Sequence, residues 1–205
     1  MSYKRYKKTP VMRGNSKLGT LPNVSLLPIE TCPLNKYCRD ACYAVKFTKV
    51  YPSVKKAWSD NTNLARNDME AFFDGIREAL DGLKPEFFRL HVSGDFFSQE
   101  YFNAWCQLAS EYPDTKFLAF TKALGFVRGS IPDNLEIVLS VFPGMRIPSR
   151  LDGFPIAAAG QVGDYTESKH VERIGDAMTC PGLCETCGMC WNLSKIGKDV
   201  RFSIH

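Results

Sequence analysis

Seven of the eight cysteines in this 205-residue chain fall into two short groups. Cys180, Cys184, Cys187 and Cys190 lie within eleven residues near the end of the chain. Thiolates crowded this closely repel one another unless a cation holds them, so the spacing predicts a metal site. A single dense run with a Cys-Pro dipeptide favours iron–sulfur ligation, whereas zinc usually takes two separated cysteine pairs. Zinc stays the alternative metal, and one cysteine of the run could serve a different cluster.

The other group contains three cysteines, Cys32, Cys38 and Cys42. Three thiolates can hold a [4Fe-4S] cluster and leave one iron open for a substrate or cofactor, as a catalytic metal keeps a vacant position. Alternatively, the fourth ligand is a histidine, an aspartate or a cysteine from the other group. Cys106 stands alone in an apolar helical pattern, and we expect it in the core.

The sequence also predicts the cellular compartment in which the protein acts. No apolar run approaches the ~20 residues needed to cross a bilayer, so no membrane partner is expected. The first residues are charged and lack the apolar stretch of a secretory signal, which predicts a cytoplasmic protein. In a reducing compartment, clustered cysteines bind metals more often than they form disulfides.

The elements that position these residues alternate along the chain. Its composition, 44% hydrophobic and 23% charged, is that of a globular protein with a real core. Alternating strands and helices predict an α/β fold, either a partial (β/α) barrel or an open parallel sheet, with two cysteine-rich metal-binding loops. A closed eight-stranded barrel typically needs ~250 residues. The predicted strands are 87–93, 116–121, 135–141 and 154–159, and the longest predicted helices are 67–83 and 98–112.

Three residues indicate where helices begin. Pro52 suits the first turn of a helix. Asn67 and Glu70 form a capping pair that predicts the start of the next helix, and Ser98 can cap another.

The charge of the chain is unevenly distributed. Residues 1–29 hold six Lys and Arg and no acidic residue, while the rest of the chain has 20 basic and 22 acidic residues. We expect a basic irregular arm over 1–30, an α/β core with the first cysteine loop over 31–178, and a cysteine-rich metal-binding segment over 179–205. A basic arm can touch phosphates, which makes nucleic acid a candidate partner through residues 1–17.

Two predicted strands end in polar residues. The first is followed by Ser93, Gly94 and Asp95, and Thr121 and Lys122 end the next. Ligand sites in α/β sheets lie at the carboxyl ends of strands, so these residues are candidate cofactor-binding residues. The alternatives are an ordinary helix N-terminal acid for Asp95 and a surface role for Lys122.

The histidines and one tryptophan carry weaker expectations. His91 is either a ligand or proton donor, or a hydrogen-bonded core residue. His170 lies in a polar stretch and is expected to be exposed, and His205 is the last residue. Trp191 follows Cys190 and is expected to shield the metal site from water.

Five blocks of the chain form a distinctive combination: Asn15-x-Lys17-Leu18-Gly19, TCP…C…CYA at 31–44, HVSGDFF at 91–97, FTK at 120–122 and the terminal cysteine run. Together they resemble the gene product 88 family of phage and mobile-element proteins. The resemblance implies a protein that acts in the cytosol of a phage host and points to no particular chemistry.

The order of motifs is also similar to radical S-adenosylmethionine enzymes. In that family three cysteines hold a four-iron cluster, S-adenosylmethionine binds the open iron, and electron transfer yields a 5′-deoxyadenosyl radical. The resemblance implies that Cys32, Cys38 and Cys42 are the cluster ligands, with the aromatic Tyr43 beside the last of them.

The same resemblance assigns roles to the strand ends and to the terminal cysteines. Ser93, Gly94 and Asp95 would form the turn that holds the amino group of the cofactor. Thr121 and Lys122 would lie at the mouth of the site. The terminal cysteines would bind an auxiliary cluster, and such an enzyme needs an electron donor as a partner.

The sequence therefore predicts an iron–sulfur protein with radical S-adenosylmethionine-like or related redox chemistry. The alternative is a zinc-stabilised nucleic-acid-binding protein of a phage or mobile element. There is no Walker-type loop, G-x-S-x-G elbow or H-E-x-x-H motif, so nothing favours an NTPase or a hydrolase. The substrate cannot be named from these residues.

Overall fold

The polypeptide folds around one sheet of six parallel strands. The computed structural model describes residues 4–14, 17–166 and 168–203. Asn15 and His205, which were singled out above, lie outside the described residues. The strands of the large sheet are β3 (Phe87–Leu90), β4 (Lys116–Thr121), β5 (Leu135–Val141), β6 (Ile156–Ala159), β7 (Met178–Thr179) and β8 (Val200–Phe202).

The sheet is open, in the order β3-β4-β5-β6-β8-β7. All of its strand pairs are parallel. Of the two predicted architectures, the open parallel sheet is the one observed. Two short strands near the start of the chain, β1 (Lys4–Arg5) and β2 (Met12–Arg13), form a separate antiparallel pair.

Seven helices accompany the sheet in the described residues. They are α1 (Tyr43–Val50), α2 (Pro52–Asn67), α3 (Met69–Leu83), α4 (Gln99–Glu111), α5 (Val171–Gly175), α6 (Cys184–Cys187) and α7 (Leu193–Ile196). The larger core lies between α2–α4 and the sheet, where side chains such as Phe72, Trp105 and Phe117 are fully buried. Among the described residues, no helix is both long and apolar enough to span a bilayer.

The opposite face of the sheet is covered by the C-terminal segment. Leu118, Val138 and Val200 point to this side and pack against Trp191 and Leu193. The cysteine-rich end of the chain is therefore an integral layer of the fold.

The helix starts agree with the sequence in two cases of three. Pro52 lies in the first turn of α2, and the Ser98 hydroxyl accepts a hydrogen bond from the Tyr101 backbone N–H at 3.1 Å. The expected Asn67 cap is wrong, because α2 continues through Asn67. Asp68 caps α3 instead, and its carboxylate accepts a hydrogen bond from the Ala71 backbone N–H at 3.0 Å.

The start of the chain differs from the expected irregular arm. Val11, Val24 and Leu26 are fully buried in its described part. The segment 22–26 runs beside β3: the Val24 N–H donates to the Arg89 carbonyl at 3.1 Å, and the Leu26 N–H to the Ser93 carbonyl at 2.9 Å. This segment leads directly into the first cysteine loop.

Candidate functional site

Asp95 joins the carboxyl ends of β3 and β4. One of its oxygens accepts hydrogen bonds from the Phe96 backbone N–H at 2.8 Å and from the Thr121 hydroxyl at 2.5 Å. The other accepts the Lys122 backbone N–H at 2.8 Å. Burial raises the pKa of Asp95, while Lys122 and the three hydrogen bonds act to lower it. These three hydrogen bonds to the Asp95 carboxylate hold the two strand ends together.

Gly94 brings the first cysteine loop against this strand end. Its φ is +83°, and a Cβ added here would lie 2.7 Å from both the Leu26 Cβ and the Thr31 Oγ1. Thr31 is the residue before Cys32, and its hydroxyl donates a hydrogen bond to the Leu27 carbonyl at 2.7 Å. The absence of a side chain at Gly94 is therefore what allows the loop to pack so closely.

The thiols of the first loop are partly buried and feel the charges of the strand ends. Burial raises the pKa of Cys32 to about 12, with a further rise from Asp95 that Lys122 opposes. Burial also raises the pKa of Cys38. The charge of Lys122 lowers this pKa, and the charges of Cys42 and Asp95 raise it. The first cysteine loop and the strand-end residues Asp95 and Lys122 therefore lie close enough for their charges to interact.

Ser93 contributes a buried hydroxyl to the same turn. The residue is 3% exposed, and its Oγ has no hydrogen-bond partner within the described parts of the chain. A buried hydroxyl without a partner costs free energy, so this position is suited to a polar ligand.

Lys122 places its ammonium group near this edge. The side chain is half-buried and lies over the ring of Phe142, which follows β5, with Nζ 5.5 Å from the ring centroid. Its charge acts on Cys32, Cys38 and Asp95.

His91 belongs to the core rather than to this site. Its Nε2 lies 3.1 Å from the Tyr101 hydroxyl, and its ring packs edge-on against Phe96 at 4.7 Å. Burial lowers the pKa of His91 to about 3, with Arg89 acting in the same direction, so the ring is neutral. Its φ of +52° turns the backbone and ends β3 at Leu90, three residues before the predicted end.

The four C-terminal cysteines line one cavity on the opposite face of the sheet, with a volume of about 30 Å³. The Cys180 N–H donates to the Arg201 carbonyl, and the Cys184 N–H to the Lys17 carbonyl, both at 2.9 Å. Trp191 also lines this cavity, and its indole N–H donates to the Phe88 carbonyl at 3.1 Å. The segment is therefore tied to the sheet and to the start of the chain.

A second contact joins the start of the chain to the C-terminal cysteine group. It is formed by Lys17–Thr20 and Glu185, which together are called the strap. The Glu185 carboxylate accepts hydrogen bonds from the Thr20 backbone N–H at 3.0 Å and from the Thr20 hydroxyl. These bonds lower the pKa of Glu185. Gly19 lies so close that an added Cβ would overlap the carboxylate.

The thiols of the C-terminal group act on one another. Burial raises the pKa of Cys190 to about 12, and Cys180, Cys184 and Cys187 raise it further. The charge of Arg89 opposes this rise. Soft sulfur donors with this mutual repulsion are suited to a cation.

Arg89 lies beside the C-terminal cysteine group and was missed by the sequence analysis. Its guanidinium lies over the Phe120 ring, 4.0 Å from the centroid. Burial lowers the pKa of Arg89, whereas Tyr43 and then Cys184 and Cys190 raise it. Its signal was a lone basic residue in an otherwise apolar strand.

The model of the family described as Gene product 88 matches residues 2–193. The chain belongs to the gene product 88 family. It is 27% identical to the Gene 88 protein of Mycobacterium phage D29 over 93% of this chain and 90% of that protein. It is also 27% identical to the Gene 88 protein of Mycobacterium phage L5, over 87% and 86%.

No solved structure matches this gene product 88 protein. The comparisons support the phage-protein resemblance of the sequence analysis. They give no support to the radical S-adenosylmethionine resemblance.

Neither cysteine group of this gene product 88 protein forms a ready coordination sphere. Across residues 4–14, 17–166 and 168–203, no three His, Cys, Asp or Glu side chains are grouped so that they could hold a metal ion. In the described residues, the two predicted cysteine-rich loops are therefore not arranged as metal-binding sites. The donor chemistry fits a soft metal, while its coordination geometry is not present.

Two further expectations have opposite outcomes. Cys106 is 9% exposed in the main core, as predicted, and burial raises its pKa to about 11. The expectation that His170 is exposed is wrong, because the residue is 6% exposed. It packs at the start of α5, with Nε2 3.8 Å from the Asp152 carboxylate.

Proposed function

We propose that this gene product 88 protein is an iron–sulfur protein with radical S-adenosylmethionine-like or related redox chemistry at the carboxyl edge of its sheet. The observation that carries the proposal is the contact between the three-cysteine loop and the polar ends of β3 and β4, made through Gly94 and Thr31. All eight cysteines are free thiols, which fits the reducing cytosol of a phage host.

Cys32, Cys38 and Cys42 would supply three ligands. When bound, a four-iron cluster with one open iron supplies one-electron reduction of a molecule held at that iron. Asp95 fixes the neighbouring strand ends, and the ammonium of Lys122 attracts an anionic group such as a carboxylate. The unpartnered hydroxyl of Ser93 would hydrogen-bond a polar group of the same molecule.

Cys180, Cys184, Cys187 and Cys190 would hold the auxiliary metal. Trp191 is 4% exposed and packs beside these cysteines, where it keeps water away from them. The positive charge of Arg89 offsets the negative charge that thiolate ligands would accumulate. An electron donor would approach this protein as a partner.

Metal analysis of anaerobically purified protein tests the proposal. Two four-iron clusters would give about eight irons per chain and a brown visible absorption. Cys38→Ala and Cys187→Ala should each remove about half of the iron. Cys106→Ala is the matched control and should keep all of it, because Cys106 lies in the core. Stoichiometric zinc without iron would favour the zinc-stabilised alternative and refute the proposal.

S-Adenosylmethionine binding is tested separately by calorimetric titration of the reconstituted protein. Ser93→Ala should weaken binding while raising the unfolding free energy of the metal-free protein by about 1–3 kcal/mol, since it removes an unpartnered buried hydroxyl. Ser149→Ala changes an exposed serine and should alter neither quantity. Reconstituted protein that does not bind the cofactor would exclude the S-adenosylmethionine component and leave the related redox chemistry.

A further inference from the structure

The helix that follows the first cysteine loop exposes a row of aromatic side chains. Tyr43, Phe47 and Tyr51 recur one turn apart and are 53%, 44% and 50% exposed. The Tyr43 and Phe47 rings are edge-to-face with centroids 6.3 Å apart, and the Phe47 and Tyr51 centroids are 5.5 Å apart. Large rings are normally buried, so Tyr43 and Phe47 on one exposed face of α1, with Tyr51 directly after its end, mark an interaction surface.

Exposed lysines are interspersed with these rings along the chain. Lys46, Lys49 and Lys55 are exposed, and no acidic residue occurs between Asp40 and Asp60. Lys56 is also exposed but pairs with Asp60 at 3.0 Å. Tyr43, Phe47, Tyr51, Lys46, Lys49 and Lys55 together form what is called here the α1 surface.

We propose that the α1 surface binds single-stranded nucleic acid. Proteins that bind single strands combine cationic side chains, which track the phosphates, with exposed rings on which unpaired bases stack. The α1 surface offers both, and its charge has the sign that complements phosphate. This proposal does not depend on the iron–sulfur chemistry proposed above.

The α1 surface is better suited to this role than the basic start of the chain. Arg5 is hydrogen-bonded to the Ala57 carbonyl at 3.2 Å, and Arg13 to the Thr20 carbonyl at 3.0 Å. Lys7 pairs with Glu78 at 3.4 Å. Arg5 and Lys7 thus already contact the body of the protein, Arg13 bonds within the start of the chain, and no row of exposed rings accompanies them in the described residues.

Fluorescence anisotropy with a labelled single-stranded thymidine oligonucleotide of about 15 nucleotides tests the proposal. Three phosphate contacts predict an affinity loss of about 20-fold between about 50 and about 200 mM salt. A duplex of the same length should bind more weakly, because its bases are not free to stack.

Variants separate stacking from charge. Phe47→Ala should weaken binding about tenfold. Val50→Ala is its control, since Val50 is 65% exposed on the same helix but has no ring. Lys46→Glu with Lys49→Glu should abolish binding, whereas Lys7→Glu with Lys8→Glu should retain it. All of these side chains are exposed, and circular dichroism should confirm an unchanged fold.

Three outcomes would overturn the proposal. Binding that is lost with the Lys7 and Lys8 variant but kept with the Lys46 and Lys49 variant would assign the nucleic acid to the start of the chain. Equal affinity for duplex and single strand with no effect of Phe47→Ala would exclude base stacking. Binding to vesicles containing anionic phospholipid, without binding to the oligonucleotide, would assign the surface to a membrane.

Discussion

At the scale of single residues, the packing and hydrogen bonding of three neighbours, Ser93, Gly94 and Asp95, determine the turn after β3. Gly94 has no side chain where the first cysteine loop passes, and Asp95 satisfies three donors from two strand ends. Ser93 is the exception, because its buried hydroxyl has no partner within the described residues. A turn so constrained around one unsatisfied group is a suitable place for a ligand.

Gly94→Ala should destabilise the protein by about 2–4 kcal/mol. About 1 kcal/mol comes from the positive φ, and the remainder from the 2.7 Å approaches to Leu26 and Thr31. Urea denaturation would measure the change. Gly129→Ala is a matched control, because Gly129 has a φ of +81° but open space around its Cβ position. It should lose only about 1 kcal/mol. Equal losses in the two variants would contradict the role of the close packing.

Much of this site was predictable from residue types alone. The cysteine groups, the Ser93–Asp95 turn and the Thr121–Lys122 strand end were all visible in the sequence, because parallel strands place such residues at one edge. The role of Arg89 was not predictable, since its position beside the C-terminal cysteines depends on the C-terminal segment covering the second face. His170 was misjudged because a polar sequence neighbourhood does not reveal tertiary burial.

At the scale of elements, the helices of the large core are stabilised by caps and by an ion pair that joins α3 to α4. Asp68 caps α3, whereas the sequence favoured Asn67 because the pair Asn67–Glu70 has capping-box spacing. The boundary moved by one residue because α2 keeps helical geometry through Asn67. The strands were located closely, except that the backbone turn at His91 shortens β3, and β7 and β8 were too short to show a pattern.

Asp68→Ala should lower the unfolding free energy by about 1 kcal/mol, because the Ala71 backbone N–H loses its acceptor. Thermal or urea denaturation would measure it. Asn67→Ala, one residue earlier, should leave stability almost unchanged. If Asn67→Ala proved the more damaging substitution, the cap would be the residue that the sequence favoured.

An ion pair between α3 and α4 predicts a pH dependence. The Arg77 guanidinium makes two hydrogen bonds to the Glu111 carboxylate, at 2.7 and 3.1 Å, and lowers the pKa of Glu111. A lowered folded-state pKa adds stability above the ordinary pKa of 4.5, and this stability is lost as the pH falls through the folded-state value. Arg77→Gln should therefore cost up to about 1 kcal/mol at neutral pH, since both groups are about one-third exposed.

The comparison of wild-type and Arg77→Gln proteins at pH 7 and about pH 3 checks this assignment. The difference in unfolding free energy should shrink towards zero at the lower pH. Lys7→Gln serves as a control, because Lys7 and Glu78 are 60% and 57% exposed and should contribute no measurable difference at either pH. A cost of Arg77→Gln that did not change with pH would contradict the ion-pair assignment.

At the scale of the whole molecule, the two ends of the chain are joined on one face of the sheet. The strap of Lys17–Thr20 and Glu185 joins the start of the chain to the C-terminal cysteine segment, and Lys17 also lies over the Phe202 ring, with Nζ 4.3 Å from its centroid. The sequence suggested an arm because its residues are basic and rich in glycine and proline. Charge patterning cannot reveal that Val11, Val24 and Leu26 are buried, since that depends on contacts distant in sequence.

Glu185→Ala should loosen the C-terminal cysteine segment without unfolding the sheet. It removes both acceptor contacts to Thr20, so limited proteolysis should cleave within 181–190 more rapidly than in the wild-type protein. Glu172→Ala changes an exposed carboxylate on α5 and should leave the cleavage rate unchanged. Unchanged cleavage in both variants would show that the strap does not hold the segment.

The strap has a consequence for how the protein is made. Its hydrogen bonds join residues that are 165 positions apart, so the early partner leaves the ribosome long before the late one. The segment that carries Thr20 must wait while the intervening strands assemble, and contacts this distant in sequence form slowly. The C-terminal cysteine segment can therefore be anchored to Thr20 only late in folding, after the strands between them have been synthesised.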